Sequence, residues 1–341
     1  MKKLFVLSCV ALATLASCSK SEDIEAPQAQ KEIAFSVATD KSRAPIEGTS
    51  FADGQKIYVS AYNSMSEKYF KGVEFSKDTN GTTWKAGKYW PVNGVTSFLA
   101  YAATGDVTAT WGEKYADKVE FTLNDGFYNS SESGKTPYID LLYASGEQAK
   151  EKEYDPVSMK FNHTGAWVVF NVKLDSDLND DAKVTLNSFQ LAKLFKGGKV
   201  VVDNTTYAGA KASWDFSGVT AADYGVESFT KKDLSAAENY TFGAIIPEQN
   251  QTAIKFNYTL ASSDTDNPAF TAQTATYEYP LSRFDKWEMG KKYVYNITIT
   301  FNEIEIKPSV TDWGTPSESD VQIYFWPSEP FNNYHASAVG D

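Results

Sequence analysis

Residues 254–260 have the sequence Ile-Lys-Phe-Asn-Tyr-Thr-Leu, in which apolar and polar side chains alternate without interruption. Successive side chains of a β-strand point to opposite faces, so this alternation predicts a strand with one buried face. Similar short segments recur along the chain, for example at 33–37 and 293–299. A long helical period is absent after residue 30, and a short helical piece is expected only near Lys232 to Ala237. Regularly spaced short strands with turn signals between them predict an all-β chain built from β-sandwiches.

The composition agrees with an all-β chain, and the net charge limits the kinds of partner that are expected. The chain has 20 Tyr, 21 Phe and 8 Trp but only 4 Met and 2 His, and aromatic side chains suit the pleated surface of a sheet. Its formal net charge is −12. A negative protein is repelled by nucleic acid and by anionic lipid, so we expect no nucleic-acid partner.

The first residues have the layout of an export signal. Lys2 and Lys3 precede a mostly apolar segment, 4–15, which is too short to span a membrane as a helix. Small residues then lead to Cys18, and this ending resembles a bacterial lipobox. We predict a lipoprotein signal peptide at 1–17, an acyl chain such as palmitate on Cys18, and a polar tether at 18–30. The alternative is an ordinary secretory signal in which the cysteine is incidental.

The remaining chain is long enough for two domains. Both cysteines, Cys9 and Cys18, lie in the signal region, so the mature fold is predicted to contain no disulfide. A charged stretch ends in Asp155-Pro156, where we place the boundary between an N-terminal sandwich, 31–154, and a C-terminal sandwich, 155–315. Residues 316–341 are predicted to form a C-terminal tail.

The sequence contains no constellation typical of an enzyme. Its histidines, His163 and His335, lie far apart in the chain, and one histidine per region cannot build a His-rich zinc site. A nucleophile elbow, a phosphate-binding glycine loop and a His-Glu-x-x-His motif are all absent. We therefore expect no enzymatic activity, no metal and no cofactor.

Several segments together carry a resemblance to a known family. Residues 51–59 have the sequence Phe-Ala-Asp-Gly-Gln-Lys-Ile-Tyr-Val, and residues 287–299 have the sequence Trp-Glu-Met-Gly-Lys-Lys-Tyr-Val-Tyr-Asn-Ile-Thr-Ile. In order and spacing, the chain resembles the fimbrillin family of the Bacteroidetes, the lipoprotein subunits of surface fimbriae. The segments that carry the resemblance are 32–37, 42–44, 51–59, 84–91, 98–101, 140–144, 161–164, 287–299 and 306–313.

The resemblance implies two tandem transthyretin-like β-sandwich domains and a fimbrial (pilus) subunit that supports adhesion at the outer membrane. In this family the subunit first fills its own groove with its N-terminal strand, which proteolysis after an arginine then releases. Residues 31–39 match that strand, with Ile33, Phe35 and Val37 facing inward. Arg43 matches the processing site of an arginine-specific protease, and Lys41 is a second basic residue nearby. The expected partners are other fimbrial subunits, this protease and, through the lipid, the outer membrane.

The tail contains an aromatic strand with no evident place in the second sandwich. Residues 321–326 have the sequence Val-Gln-Ile-Tyr-Phe-Trp, so Val321, Ile323 and Phe325 share one face. One interpretation is a donor strand that enters the groove of the next subunit. The other is an edge strand of the chain's own second sandwich.

The abundance of aromatic residues leaves a second class of function open. Exposed rings on a surface lipoprotein can stack on sugars, and Trp111, Trp214 and Trp326 lie in polar sequence. A surface lipoprotein that binds glycan is therefore the alternative hypothesis. Most aromatic side chains of a sandwich fill its core, however, so exposed rings would be needed to support it.

Overall fold

The structure of the chain is a computed structural model. It describes residues 31–39, 51, 55–63, 68–77, 81–91, 96–104, 107–123, 139–148, 155–178, 182–204, 210–226, 229–266, 268–281, 284–300 and 304–312.

The N-terminal part of the chain forms a closed barrel. Its strands follow one another around the ring in the order β1-β4-β3-β2-β5-β8-β9. The strands in this half of the chain are β1 (Phe35–Thr39), β2 (Lys56–Tyr62), β3 (Lys68–Lys77), β4 (Thr83–Lys85), β5 (Thr96–Ala103), β6 (Thr108–Thr110), β7 (Val119–Leu123), β8 (Leu141–Gln148) and β9 (Val157–His163). Strands β6 and β7 belong to a separate sheet that is described below.

The barrel core is rich in aromatic side chains. Phe35, Phe75, Phe98 and Phe161 are completely buried, and Phe35 contacts both Phe75 and Phe98 edge to face. Strand β9 follows the period of two: its Val157, Met159 and Phe161 face the core, while the residues between them are exposed or half-buried. Burying a large apolar side chain contributes about 1.5–3 kcal/mol, so the alternating residues hold the ring together from inside.

The C-terminal part is a two-layer sandwich. One layer has the order β16-β10-β21-β22, and the other has the order β14-β11-β18-β19 with β15 also paired to β11. The strands in this half of the chain are β10 (Gly165–Leu174), β11 (Ala182–Leu194), β12 (Gly198–Asp203), β13 (Lys211–Asp215), β14 (Ala222–Gly225), β15 (Lys232–Asp233), β16 (Tyr240–Pro247), β17 (Gln249–Asn250), β18 (Ala253–Ser262), β19 (Gln273–Pro280), β20 (Lys286–Trp287), β21 (Lys291–Ile299) and β22 (Ile304–Asp312). Strands β12 and β13 belong to the separate sheet described below, and β17 pairs only with β20 among the described strands. A 3₁₀ turn lies at Ser176–Leu178.

One hydrophobic core joins the two layers. It contains Phe170 from β10, Phe189 from β11, Phe256 from β18 and Tyr295 from β21, each at most 2% exposed. The alternation that predicted a strand at 254–260 is present in β18, where buried and half-buried residues alternate. The apolar face of β18 therefore points into this core.

A separate sheet connects the barrel and the sandwich, and we call it the third sheet because it forms a third part of the fold. It has the order β13-β12-β7-β6, so strands from both halves of the chain share one hydrogen-bond ladder. Val200 of β12 pairs with Phe121 of β7, and both are buried in a third core cluster. The sheet lies across the predicted boundary at 154/155, which stays a prediction, as do the number of domains and the transthyretin-like description.

The prediction of an all-β chain is confirmed, because 66% of the described residues lie in strands and the same residues contain no α-helix. The helical piece expected near Lys232 to Ala237 is wrong. Lys232 and Asp233 instead form β15, which pairs with Thr185 and Leu186 of β11. Pairing with a long neighbouring strand outweighs the weak local preference for a helix.

Candidate functional site: the N-terminal strand in its groove

Strand β1 closes the barrel, and its two neighbours hold it unequally. On one side it runs parallel to β9, and the paired residues extend from Phe35 opposite Val157 to Thr39 opposite Phe161. On the other side it is antiparallel to β4, where only Phe35 and Ser36 have partners. We call the space between β4 and β9 the β1 groove. Most of the ladder that holds β1 is therefore formed with β9.

The residues before β1 extend its contacts with the β4 side. The amide of Ile33 donates to the carbonyl of Lys88 at 2.7 Å, and the amide of Trp90 donates to the carbonyl of Lys31 at 3.0 Å. The Glu32 carboxylate also accepts a hydrogen bond from the amide of Gly87 at 2.7 Å. Residues 31–39 are thus fixed to both walls of the groove.

The side chains of this segment alternate as a groove-filling strand requires. Ile33 and Phe35 are 0% exposed and belong to the barrel core. Val37 is half-buried and packs against the same core, while Ser36 and Ala38 face solvent. The three residues predicted to face inward therefore lie on one side of the strand, with burial decreasing toward its end.

Several predicted site residues lie outside the described residues. They are the lipidation site Cys18, the processing site Arg43 and the donor-strand residues Val321, Ile323 and Phe325. Their assignments stay predictions.

The tryptophans considered for glycan binding are part of the protein's packing where the structure describes them. Trp111 and Trp214 are half-buried and pack against the third core cluster. The exposed large rings of the described chain are instead Tyr69 and Tyr89, which are 42% and 47% exposed. The Tyr69 hydroxyl donates to the carbonyl of Tyr89 at 2.8 Å. No pattern in the sequence indicated that these two tyrosines would be the exposed ones.

The described residues offer no arrangement suited to catalysis or metal binding. His163 Nδ1 lies 2.9 Å from Asp140 Oδ1, and both side chains are only 1% exposed. No group of three or more His, Cys, Asp or Glu side chains in the described ranges could share a metal ion. The same ranges contain no helix with the length and hydropathy of a membrane span.

Three solved structures with a similar fold come from species of Bacteroides. A candidate cell adhesion protein from Bacteroides ovatus has 17% identity and a TM-score of 0.51, with 85% of this chain and 100% of that chain covered. A fimbrial protein from Bacteroides vulgatus has 17% identity and a TM-score of 0.50, with 82% and 99% covered. A candidate cell adhesion protein from Bacteroides eggerthii has 12% identity and a TM-score of 0.52, with 83% and 96% covered. At such identities these likenesses show the fold alone.

Comparison with family models gives the assignment. A search of curated protein sequences found no match. Residues 42–313, most of the chain, match the model of the family described as fimbrillin-like. This is a family of fimbrial structural proteins and not of enzymes, which confirms the resemblance and the expectation that the chain is not an enzyme. The chain belongs to the fimbrillin-like family.

Proposed function

We propose that this chain is a subunit of a cell-surface fimbrium that supports adhesion, and that subunits join by exchanging the strand in the β1 groove. The observation that carries the proposal is the position of β1. It is the strand that closes the barrel, yet its pairing with β4 covers only Phe35 and Ser36. With β1 in place the ring is complete, so assembly requires that β1 leaves.

The departure of β1 would open a groove that strongly favours the binding of another strand. It would remove Ile33 and Phe35 from the core, each worth about 1.5–3 kcal/mol of burial. It would also leave the ladder groups of β9 from Val157 to Phe161 without partners. Unpaired strand edges bind extended segments, with ladder hydrogen bonds for affinity and alternate side chains for register.

A cut near Arg43 would separate β1 from the rest of the molecule. Strand β1 ends at Thr39, and the next described residue, Phe51, is buried against Phe161 with ring centroids 5.1 Å apart. Cleavage between these two anchored points by an arginine-specific protease would therefore free β1 and leave the barrel core otherwise intact. If Cys18 carries the lipid, the same cut would release the subunit from the outer membrane.

The replacement strand is proposed to come from the tail of another subunit. The tail has apolar residues at every second position, namely Val321, Ile323 and Phe325. This is the same spacing as that of the inward-facing residues Ile33, Phe35 and Val37, so the tail could present its apolar side chains to the same groove. The open alternative is that this segment pairs with the chain's own second sandwich.

Processing is tested by changing the basic residues one at a time. We expect Arg43→Ala to give a folded, membrane-bound monomer that forms no fibres by electron microscopy. Lys41→Ala is the matched control and should polymerise normally. Fibres from Arg43→Ala at the wild-type level would contradict processing at this residue, and N-terminal sequencing of extracted protein would identify the bond that is cut.

Donation by the tail is tested by deletion and by peptide addition. Removing residues 320–341 should leave a folded monomer that cannot join the next subunit. A synthetic peptide of residues 320–327 should bind monomer cleaved at Arg43 but not uncleaved monomer, whereas a peptide with Ile323→Asp should bind neither. Loss of folding on deletion would instead make the tail part of the chain's own core.

The glycan-binding alternative has less support. Two of its three tryptophans, Trp111 and Trp214, pack against the third core cluster. The third, Trp326, lies outside the described residues.

A further inference from the structure

The barrel and the sandwich are joined by an almost unbroken strand. Strand β9 of the barrel ends at His163, and β10 of the sandwich begins at Gly165, so Thr164 alone separates them. Strand β9 carries β1 on one side, and β10 lies between β16 and β21 in its sheet. The segment that lines the β1 groove therefore continues directly into the middle of the sandwich.

Thr164 is held by hydrogen bonds from two other parts of the fold. Its amide and its hydroxyl both donate to the carbonyl of Leu141 in β8, at 3.0 Å and 2.9 Å. Its own carbonyl accepts a hydrogen bond from the indole nitrogen of Trp214 in β13 at 2.8 Å. Thr164 is 0% exposed and its hydroxyl bond to Leu141 is buried, whereas the bond from the half-buried Trp214 is partly buried. The single linking residue thus ties β8 of the barrel to the third sheet.

The residues on either side of Thr164 are fixed as well. The carbonyl of Gly165 accepts a hydrogen bond from the amide of Gly290, in the turn before β21, at 2.9 Å. His163 is paired with the buried Asp140, as described above. The ring of Trp214 stacks on Phe216 with centroids 5.9 Å apart and an interplanar angle of 11°. Strand β8, strand β13 and the turn before β21 are therefore each hydrogen-bonded to Thr164 or to the adjacent Gly165.

We propose that Thr164 and Trp214 form a junction clamp that makes the barrel and the sandwich a single cooperative unit. A flexible link would let the two parts open independently. The clamp replaces that freedom with buried hydrogen bonds, and a buried polar group that loses its partner is costly, so bending at Thr164 is opposed. The third sheet, with its ladder between β7 and β12, adds a second connection.

The clamp has a consequence for a fibre, and this part rests on the proposed strand exchange. Tension from a neighbour would enter at β9, pass through Thr164 to β10 and then to β21, which pairs with β10 from Trp167 to Leu174. Strand β21 in turn pairs with β22, which ends at Asp312, before the tail. The ladder hydrogen bonds are slanted and evenly spaced in the parallel β10–β21 pair and perpendicular to the strands in the antiparallel β21–β22 pair. In both pairs, tension along the strands loads many of these bonds together.

The clamp is tested by following both parts of the full chain in one sample. Incorporated 5-fluorotryptophan gives separate ¹⁹F signals from Trp84, buried in the barrel, and Trp287, buried in the sandwich. In a urea titration the two signals of the wild-type chain should disappear at the same midpoint, as a cooperative unit requires. In the double variant Thr164→Val with Trp214→Phe, the two midpoints should separate by about 0.5–1 M urea.

Thr252→Val provides the matched control. The Thr252 hydroxyl is buried and has no hydrogen-bond partner, so the same substitution there should leave the midpoints coincident. Coincident midpoints in the double variant, or separate midpoints already in the wild-type chain, would overturn the proposal. If the double variant does not fold, Trp214→Phe alone is measured by the same criteria.

This test does not depend on strand exchange. The titration uses monomer without a donor strand, so its result stands even if Arg43→Ala still forms fibres. Conversely, separate midpoints in the wild-type chain would remove the clamp and leave the proposed assembly intact.

Discussion

The ring of Phe35 meets the ring of Phe98 edge to face, with centroids 5.1 Å apart and planes at 87°. Phe35 belongs to β1, the strand proposed to leave, whereas Phe98 belongs to β5 on another part of the ring. Phe35 also meets Phe75 at 4.9 Å. The strand is therefore anchored in the centre of the barrel core, and any replacement must supply comparable apolar contacts.

Phe35→Ala should strongly destabilise the barrel. Truncating a fully buried phenylalanine costs about 3–5 kcal/mol, because the apolar contacts are lost and a cavity remains. Urea unfolding followed by the ¹⁹F signal of Trp84 would measure the change. Ser36→Ala, at the exposed neighbouring position, should change stability by less than about 0.5 kcal/mol. Equal effects of the two substitutions would mean that β1 is not anchored through its inward face.

Gly243→Ala should destabilise the sandwich because two backbones approach closely there. A Cβ atom at Gly243 would lie 2.4 Å from the carbonyl oxygen of Val168, on the neighbouring β10. Relieving such a clash requires a backbone shift, and overpacking of this kind typically costs about 1–3 kcal/mol. Gly225→Ala is the control, since a Cβ atom there would meet nothing within 4 Å. Thermal unfolding of both variants would measure the two effects. A melting temperature of Gly243→Ala equal to that of the wild-type chain would contradict the close approach of the two backbones.

The sequence predicted single strands but not which strands pair with each other. The alternation at 254–260 matches β18, which extends from Ala253 to Ser262, because burial of one face imposes a period of two. That period does not say which strand lies alongside, since every half-buried strand shares it. The parallel pairing of β1 with β9 and the pairing of β7 with β12 join segments far apart in the chain. Such pairings depend on the whole fold.

The same limit applied to the candidate site. The spacing of Ile33, Phe35 and Val37 alone placed them on one face. In the structure all three pack in or against the barrel core, Phe35 and Val37 from β1 and Ile33 from just before it. The role of Thr164 could not be recognised, because its partners Leu141 and Trp214 are distant in sequence and their bonds form only in the folded chain. Trp214 lies in polar sequence, but in the folded chain it is half-buried and packs against the third core cluster.

Stability should decline in alkaline solution above about pH 10. Burial raises the pKa of Tyr62, Tyr101, Tyr279 and Tyr293 to about 12, from an ordinary value of 10.0. Between these two values the unfolded chain loses its phenolic protons while the folded chain keeps them. The stabilisation is therefore complete below pH 10 and is lost as the pH rises toward 12. Melting temperatures measured from pH 8 to 12, with tyrosinate absorbance recorded in parallel, would test this, and a flat profile would contradict it.

The exposed tyrosines separate the two hypotheses of function. If the chain acts through strand exchange, Tyr69→Ala should leave fibre formation unchanged, because Tyr69 lies on β3 and β1 pairs instead with β4 and β9. Its ring is 42% exposed, so the substitution should change stability by no more than about 0.5 kcal/mol. Tyr69→Phe keeps the ring and removes only the hydrogen bond to the Tyr89 carbonyl, which makes it the matched control. Binding of both variants to a glycan array, measured beside fibre formation, distinguishes the cases. Lost glycan binding in Tyr69→Ala but not in Tyr69→Phe, with fibres intact, would assign this surface to sugar recognition and favour the alternative function.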